Sequence, residues 1–247
     1  MTSDAGSSAE VVAAAASVRQ KLPLVIIAIV AGIAVAGLVW YVHERAVHAT
    51  ALAQAKATFH RFDRVDVRMH ALARREGAIS QRAGRASDAA SSASQKRHDR
   101  YESLSAQERY DLAHSERLQV EALESANSDL AAQEQSFVNE LADLYGDSAV
   151  AQLRQEFADL AEARENAAST WWRAASGVED DLKDELNGGE GNEVSNDSIS
   201  REYDESAQFA NKRDRLNTTV YADAKKWIMR FGNDWRRAKQ QVKQLGG

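Results

Sequence analysis

Leu22 to Val42 is a run of 21 residues without a charged side chain, and nothing after it repeats that pattern. As a helix the run spans about 32 Å, the hydrocarbon thickness of a bilayer. Beyond it, apolar residues recur at three-and-four spacing, the mark of helices with one buried face. Leu52, Ala55, Phe59, Phe62, Met69 and Ala73 form a first stripe, interrupted by Asp66. Ser105 and Glu108 match the SxxE capping box and open a second helical run. In that run Leu123, Leu130, Phe137 and Leu144 recur every seven residues, joined by Val120 and Leu141. Asn127 and Glu134 share the register of Val120 and leave this seam imperfect.

Gly146, followed by Asp147 and Ser148, predicts a stop and a restart: glycine closes one helix and a polar side chain caps the next. A second arm follows through Val150, Leu153, Phe157, Leu160, Ala167, Trp171, Ala174 and Val178, broken only by Arg164. After a Gly-rich polar stretch, Tyr221, Ala224, Ile228, Phe231, Trp235, Ala238, Val242 and Leu245 keep heptad phase across Gly232. No segment shows the alternation of a strand. The pattern predicts an all-α chain: a single transmembrane helix followed by an elongated helical bundle with coiled-coil-like packing.

The predicted organisation has seven parts. Residues 1–20 are a disordered or loosely helical tail, 21–43 the transmembrane anchor, and 44–84 a membrane-proximal, basic amphipathic helix. Residues 85–104, rich in Ala and Ser, hold too little apolar bulk for a core and read as a linker or an exposed helical spacer. Residues 105–187 form an acidic helical hairpin, 188–198 a Gly-rich polar loop, and 199–247 a basic amphipathic C-terminal helix.

Arg19 and Lys21 precede the apolar run, His43 and Arg45 follow it, and Trp40 and Tyr41 suit the headgroup level. Its length and lack of polar residues favour an anchor over a buried core helix. Its separation from the small residues Ala49, Ala51 and Ala53 favours retention over cleavage as a signal peptide. Ala28, Gly32 and Ala36 fall four apart, a small-residue face on which two such helices can pack. Charge asymmetry barely orients the span. The background tendency of N-terminal anchors places the body on the extracytoplasmic side of the cell membrane.

Composition strengthens the helical reading. Pro23 is the one proline and there is no cysteine, so helices meet no proline break beyond the first turn of the span, and thiolate chemistry is absent. The net charge of -6 conceals segregation. Residues 43–100 carry 12 Lys/Arg against 6 Asp/Glu, residues 101–200 carry 6 against 23, and residues 201–247 carry 11 against 6. Such blocks serve outside partners or neutralise one another when helices fold together.

No catalytic, cofactor or metal site emerges. His43-Glu44 and His48 miss the HExxH spacing by one residue, and Asp66 with His70 lacks a second ligand pair. His114 and Ser115 are adjacent, about 100° apart around a helix, and do not form a nucleophile and base. The run Glu179, Asp180, Asp181, Asp184, Glu185 has no calcium-loop pattern and reads as a solvated face. Asn196-Asp197-Ser198 and Asn217-Thr218-Thr219 match a glycosylation sequon, relevant only in a eukaryotic secretory setting.

The sequence therefore points to a single-pass, membrane-anchored interaction or scaffold protein without catalytic activity. Its expected partners are the bilayer, through residues 22–42, and a protein partner or a second copy, through the helices. The stripe of Ile228, Phe231, Trp235, Val242 and Leu245 is the expected packing surface, with the acidic hairpin as its nearest mate. A membrane-tethered sensory or ligand-binding bundle is the alternative. Nucleic-acid binding through the basic tail is disfavoured, because the adjacent acidic block repels phosphate.

Overall fold

The computed structural model describes the backbone of residues 7–188 and 196–246, and the side chains of residues 35–188 and 197–246. Among the described residues it is all-helical: α1 (Ser7–Asp99), a short 3-10 turn (Tyr101–Ser103), α2 (Ala106–Tyr145), α3 (Asp147–Leu186) and α4 (Asn196–Gln244). The chain divides into two compact units, His60–Arg237, and Met1–Phe59 with Ala238–Gly247.

The larger unit is an up-down-up-down four-helix bundle. Arg68 meets Glu140 and Arg97 meets Glu116, so α1 and α2 run antiparallel. Arg109–Glu185 and Phe137–Phe157 set α3 antiparallel to α2. Ser206 donates to the Ala167 carbonyl and Phe157 abuts Tyr221, which sets α4 antiparallel to α3. Phe62 against Phe231 closes the square between α1 and α4.

Two apolar clusters fill this bundle. Toward Gly146, Val65 and Met69 of α1, Val138 and Leu141 of α2, Leu153, Phe157 and Leu160 of α3, and Val220, Ala224 and Phe231 of α4 interdigitate. The other cluster is built of smaller residues: Ala83 and Ala86 of α1, Leu123, Ala126 and Leu130 of α2, and Ala168 of α3. Ala83, Ala86, Ala90 and Ala93 are all buried and fall at three-and-four spacing. The expected spacer is thus helical through residue 99, and the correction is that this face is buried and not exposed. Residues 85–99 are the end of α1, and short alanine side chains bury that face by letting the neighbouring helices approach closely. Only residues 100–104 are a connection.

The helix ends follow local chemistry. Ser105 Oγ accepts from the Glu108 amide at 3.3 Å while Glu108 Oε2 accepts from the Ser105 amide at 2.8 Å, so the capping box forms. The Ser105 amide and, at 2.7 Å, the Ser105 hydroxyl both donate to Glu108 Oε2 and hold the Glu108 carboxyl below its usual range. Gly146 alone separates α2 from α3. Its φ of +90° and ψ of 151° lie in a region open to glycine and not to residues with a Cβ. The expected cap from Asp147 or Ser148 is not made: Gly146 is itself the N-cap, and Asp147, in the first turn of α3, pairs with Arg154 at 2.8 Å. Its carboxylate suits the positive end of the helix dipole there. Gly77, Gly84 and Gly232 interrupt neither α1 nor α4.

In the smaller unit, Ala51, Leu52, Ala55 and Phe59 are the sheltered positions of its α1 segment, and Ala238, Val242 and Leu245 those of its α4 segment. Val35, Leu38, Val39, Trp40, Tyr41 and Val42 are exposed. No helix among the described residues is long and apolar enough to cross a membrane; the side chains of residues 22–34, most of the expected span, lie outside them. Residues 189–195 of the expected polar loop lie outside them too.

Candidate functional site

Glu116 sits in the apolar seam of α2 one turn before Val120, and its side chain is fully buried. An isolated carboxylate is costly there, so the fold supplies donors from the other three helices. Arg97 Nη2 of α1 donates to Oε2 at 2.9 Å. Trp171 Nε1 of α3 and the Tyr203 hydroxyl of α4 both donate to Oε1 at 2.9 Å. Arg97 Nη2 also lies 3.3 Å from the Tyr203 oxygen. Burial and the nearby Glu116 charge raise the Tyr203 pKa and keep it a donor.

A second layer repeats this arrangement. Glu134 lies 18 residues after Glu116 on α2, and Tyr221 lies 18 residues after Tyr203 on α4. Eighteen residues make five turns of about 3.6 residues, so both pairs return to the same faces. Tyr221 donates to Glu134 Oε1 at 2.8 Å, and Arg164 Nη1 of α3 lies 2.8 Å from both carboxylate oxygens. Arg164 Nη2 reaches Asn217 Oδ1 at 3.3 Å, and Asn127 donates to the Arg164 carbonyl at 3.4 Å. Burial raises the Glu134 carboxyl against the opposing pull of Arg164 and Tyr221. Burial also works against the Arg164 charge, but Glu134 outweighs it and the guanidinium stays protonated. Asn217 is thus engaged in packing, whatever its sequon.

A third polar knot lies between α2 and α3. Glu179 pairs with His114 Nδ1 at 2.8 Å and with Arg117 Nε, and His114 stacks on Tyr110. His114 is therefore turned to Glu179 and not to Ser115. Glu185 pairs with Arg109 at 2.5 Å, so two members of the acidic run are tied to α2. No group of three potential metal ligands occurs among the described residues. His70 Nδ1 faces its own helix, at the Asp66 carbonyl and carboxylate.

Two cavities border the polar layers. One of about 720 Å³ is lined by Ser91, Ser94, Arg97, Tyr101, Trp171 and Tyr203 among others. The other, about 550 Å³, lies above the second layer, between α1 at Ser80 to Asp88 and α4 at Arg213 to Tyr221. Toward Gly146 the helix segments are divided by charge. Residues 60–85 of α1 and 212–237 of α4 carry fifteen Lys/Arg against six Asp/Glu; residues 124–145 of α2 and 147–167 of α3 carry ten Asp/Glu against two Arg.

The residues singled out from sequence are placed as follows. Phe231 is in the core of the larger unit and Trp235 is partly buried. Ile228 is 50% exposed, so the stripe curves away from the core at that position. Val242 and Leu245 are partly buried in the smaller unit. Up to Arg237 the C-terminal helix packs on the hairpin: the Tyr145 hydroxyl donates to Asp234 at 3.0 Å, and Arg230 lies over the Tyr145 and Trp227 rings. Ala28 and Gly32 lie outside the residues with described side chains; Ala36 is exposed. Sequence reasoning missed Arg97, Glu116 and Tyr203. Extending the Val120 seam back one turn places Glu116 in it, and a carboxylate in a seam demands a donor. Comparisons with protein-family models, curated proteins and solved structures find no match to this chain.

Proposed function

We propose that this chain is a single-pass, membrane-anchored helical interaction or scaffold protein without catalytic activity, its bundle presenting charged helix faces to protein partners. One observation carries the anchor: all eight residues from Val35 to Val42 are exposed on continuous helix, with Val35 at 61% and Trp40 at 66%. Eight consecutive residues cover every side of a helix. A large apolar side chain gains about 1.5–3 kcal/mol on leaving water, so an apolar shell on all sides favours lipid as its solvent. With residues 22–34, equally uncharged, the run reaches the length a bilayer requires. The interaction role is supported by the division of the part of the bundle toward Gly146 into basic α1/α4 segments and acidic α2/α3 segments, a pattern that selects partners by charge complementarity. The buried carboxylates are saturated by fixed donors, an arrangement suited to holding helix register.

Alkaline carbonate extraction of membranes from cells making the full chain tests the anchor. The chain stays with the lipid, and replacing Ile26, Val30 and Val35 by Asp releases it. Full release of the unaltered chain would overturn the proposal. Chemical cross-linking in the same membranes then reads the interaction role, through discrete protein adducts that Lys/Arg-to-Glu changes on α4 remove.

A further inference from the structure

We propose that a second copy of this chain docks on the side of the bundle formed by α3 and α4, an inference that rests on the membrane-anchored reading above. On the α1/α2 side opposite charges already meet within one copy: Arg68 pairs with Glu140 at 3.2 Å, and Arg82 pairs with Asp129. The α3/α4 side is different. Lys212, Arg215, Thr219, Ala222, Lys226 and Met229 lie three and four apart on α4 and are all exposed, which makes them one outward stripe. Asp214 and Asp223, the carboxylates of that stretch, pair with Arg213 and Lys226, which leaves Lys212 and Arg215 without an ion-pair partner among the described residues. On α3, Glu156, Asp159 and Glu162 recur every three residues, Glu162 exposed and the other two half-buried. Gln152 donates to Glu156 at 2.8 Å and Gln155 to Asp159 at 2.7 Å, neutral donors that leave the carboxylate charge in place.

Height and symmetry select a copy of the same chain as the occupant. Phe157 abuts Tyr221 and Ser206 donates to the Ala167 carbonyl, so Glu162 of α3 lies within about one turn of the height of Arg215 on antiparallel α4. Glu156 and Lys226 line one cavity between the two helices. A two-fold axis parallel to the helices sets α4 of each copy against α3 of the other and preserves every height. Arg215 then meets Glu162 of the second copy, Lys226 approaches its Glu156, and each contact occurs twice. At the centre of the stripe Thr219 and Ala222 are short enough for close approach, and Met229, 54% exposed, gains cover. Toward the other end of the bundle, Asp180 of α3 and Asp204 and Glu205 of α4 are all acidic and exposed, so two copies repel there and the contact stays in the half toward Gly146. Exposed ion pairs are individually weak. Two chains anchored in one membrane face the same way, as this axis requires, and their confinement raises the effective concentration that weak pairs need.

The test is energy transfer between copies of the full chain reconstituted in liposomes of neutral phosphatidylcholine. The chain has no cysteine, so Ser92→Cys, at an exposed position of α1, takes a donor dye in one preparation and an acceptor in another. Mixed unaltered copies should show transfer, and it should fall to background in about 1 M salt, where the screening length is about 3 Å. Arg215→Glu with Lys226→Glu places acid against acid, and Glu156→Lys with Glu162→Lys places base against base. Each double variant alone should lose transfer, while donor copies of the first mixed with acceptor copies of the second should regain it, because both contacts of that mixed pair are complementary again. Recovery in the mixture also shows that both variants are folded. Flotation of the same liposomes reads the anchor separately: a chain that does not float overturns the anchored reading, whereas one that floats without transfer overturns self-pairing alone. Transfer that persists in high salt or in either variant by itself, or that fails to return in the mixture, would equally overturn this contact.

Discussion

Arg164 Nη1 lies 2.8 Å from both carboxylate oxygens of Glu134, joining α3 to α2 inside the bundle. Each residue is a charged break in its own helix's apolar seam, and these two breaks answer one another. Side-chain exposures of 7% and 2% leave little water to solvate either charge. Removing one partner strands the other in a poorly solvated site, while removing both leaves an apolar gap.

Arg164→Met should therefore cost about 3–5 kcal/mol of unfolding free energy, and Glu134→Leu a similar amount. The double variant should recover to within about 1–2 kcal/mol of wild type, since apolar residues of similar volume commonly replace buried ion pairs. Asn217 loses Arg164 and Tyr221 loses Glu134, keeping only its bond to Glu76, in that variant, so recovery falls short of complete. Urea denaturation of the four proteins checks this as a double-mutant cycle, and additive single losses would contradict it.

What could be read from sequence was what is local. The Ser105–Glu108 capping box spans three residues, Gly146 marks its own turn, and the seam from Val150 to Val178 depends on one helix. The buried layers are not local. Glu116 meets Arg97 from 19 residues before it, Trp171 from 55 after and Tyr203 from 87 after, and no window along the chain contains such a set. Glu134 and Arg164 could each be seen as a flaw, but their pairing needs the antiparallel register of α2 and α3. The α1 face at Ala86, Ala90 and Ala93 escaped for another reason: alanine contributes little transfer energy alone, and its value lies in the approach of the opposing helix.

That alanine face predicts its own failure. Ala90 is fully buried, so Ala90→Leu must push α1 from its neighbours and should cost about 1–3 kcal/mol. Ala89, the preceding residue and exposed, takes the same leucine at a change within about 0.5 kcal/mol. Thermal denaturation of the two variants separates them. Equal midpoints would show that the face is not closely packed.

Two glycines should respond oppositely to alanine. Gly146 holds φ at +90°, where a Cβ is strained although nothing lies within 4 Å of it, so Gly146→Ala should cost about 1–3 kcal/mol. Gly77 is exposed within α1 and has equally open space. Gly77→Ala should add about 0.5–1 kcal/mol by limiting the unfolded chain and favouring helix. Chemical denaturation measures both, and a neutral Gly146→Ala would mean that the hairpin turn adopts another conformation.

Acid should weaken the bundle partly through Glu179. Burial alone would raise its carboxyl, but hydrogen bonds from His114 and Arg117, with their charges, outweigh burial and hold it below the usual range. A glutamate in the unfolded chain protonates near about pH 4.3, so between that value and the lower folded one the unfolded chain binds more protons. The stabilisation by Glu179 is then fully present above the unfolded value and disappears as pH falls through the folded value. Glu179→Gln removes this dependence and leaves Arg117 with a weaker acceptor. Its thermal midpoint should lie below that of wild type at about pH 5, and the gap should close as the pH is lowered past the carboxylate range. A gap that stays constant across that range would show that the His114–Glu179–Arg117 knot does not contribute through its charge.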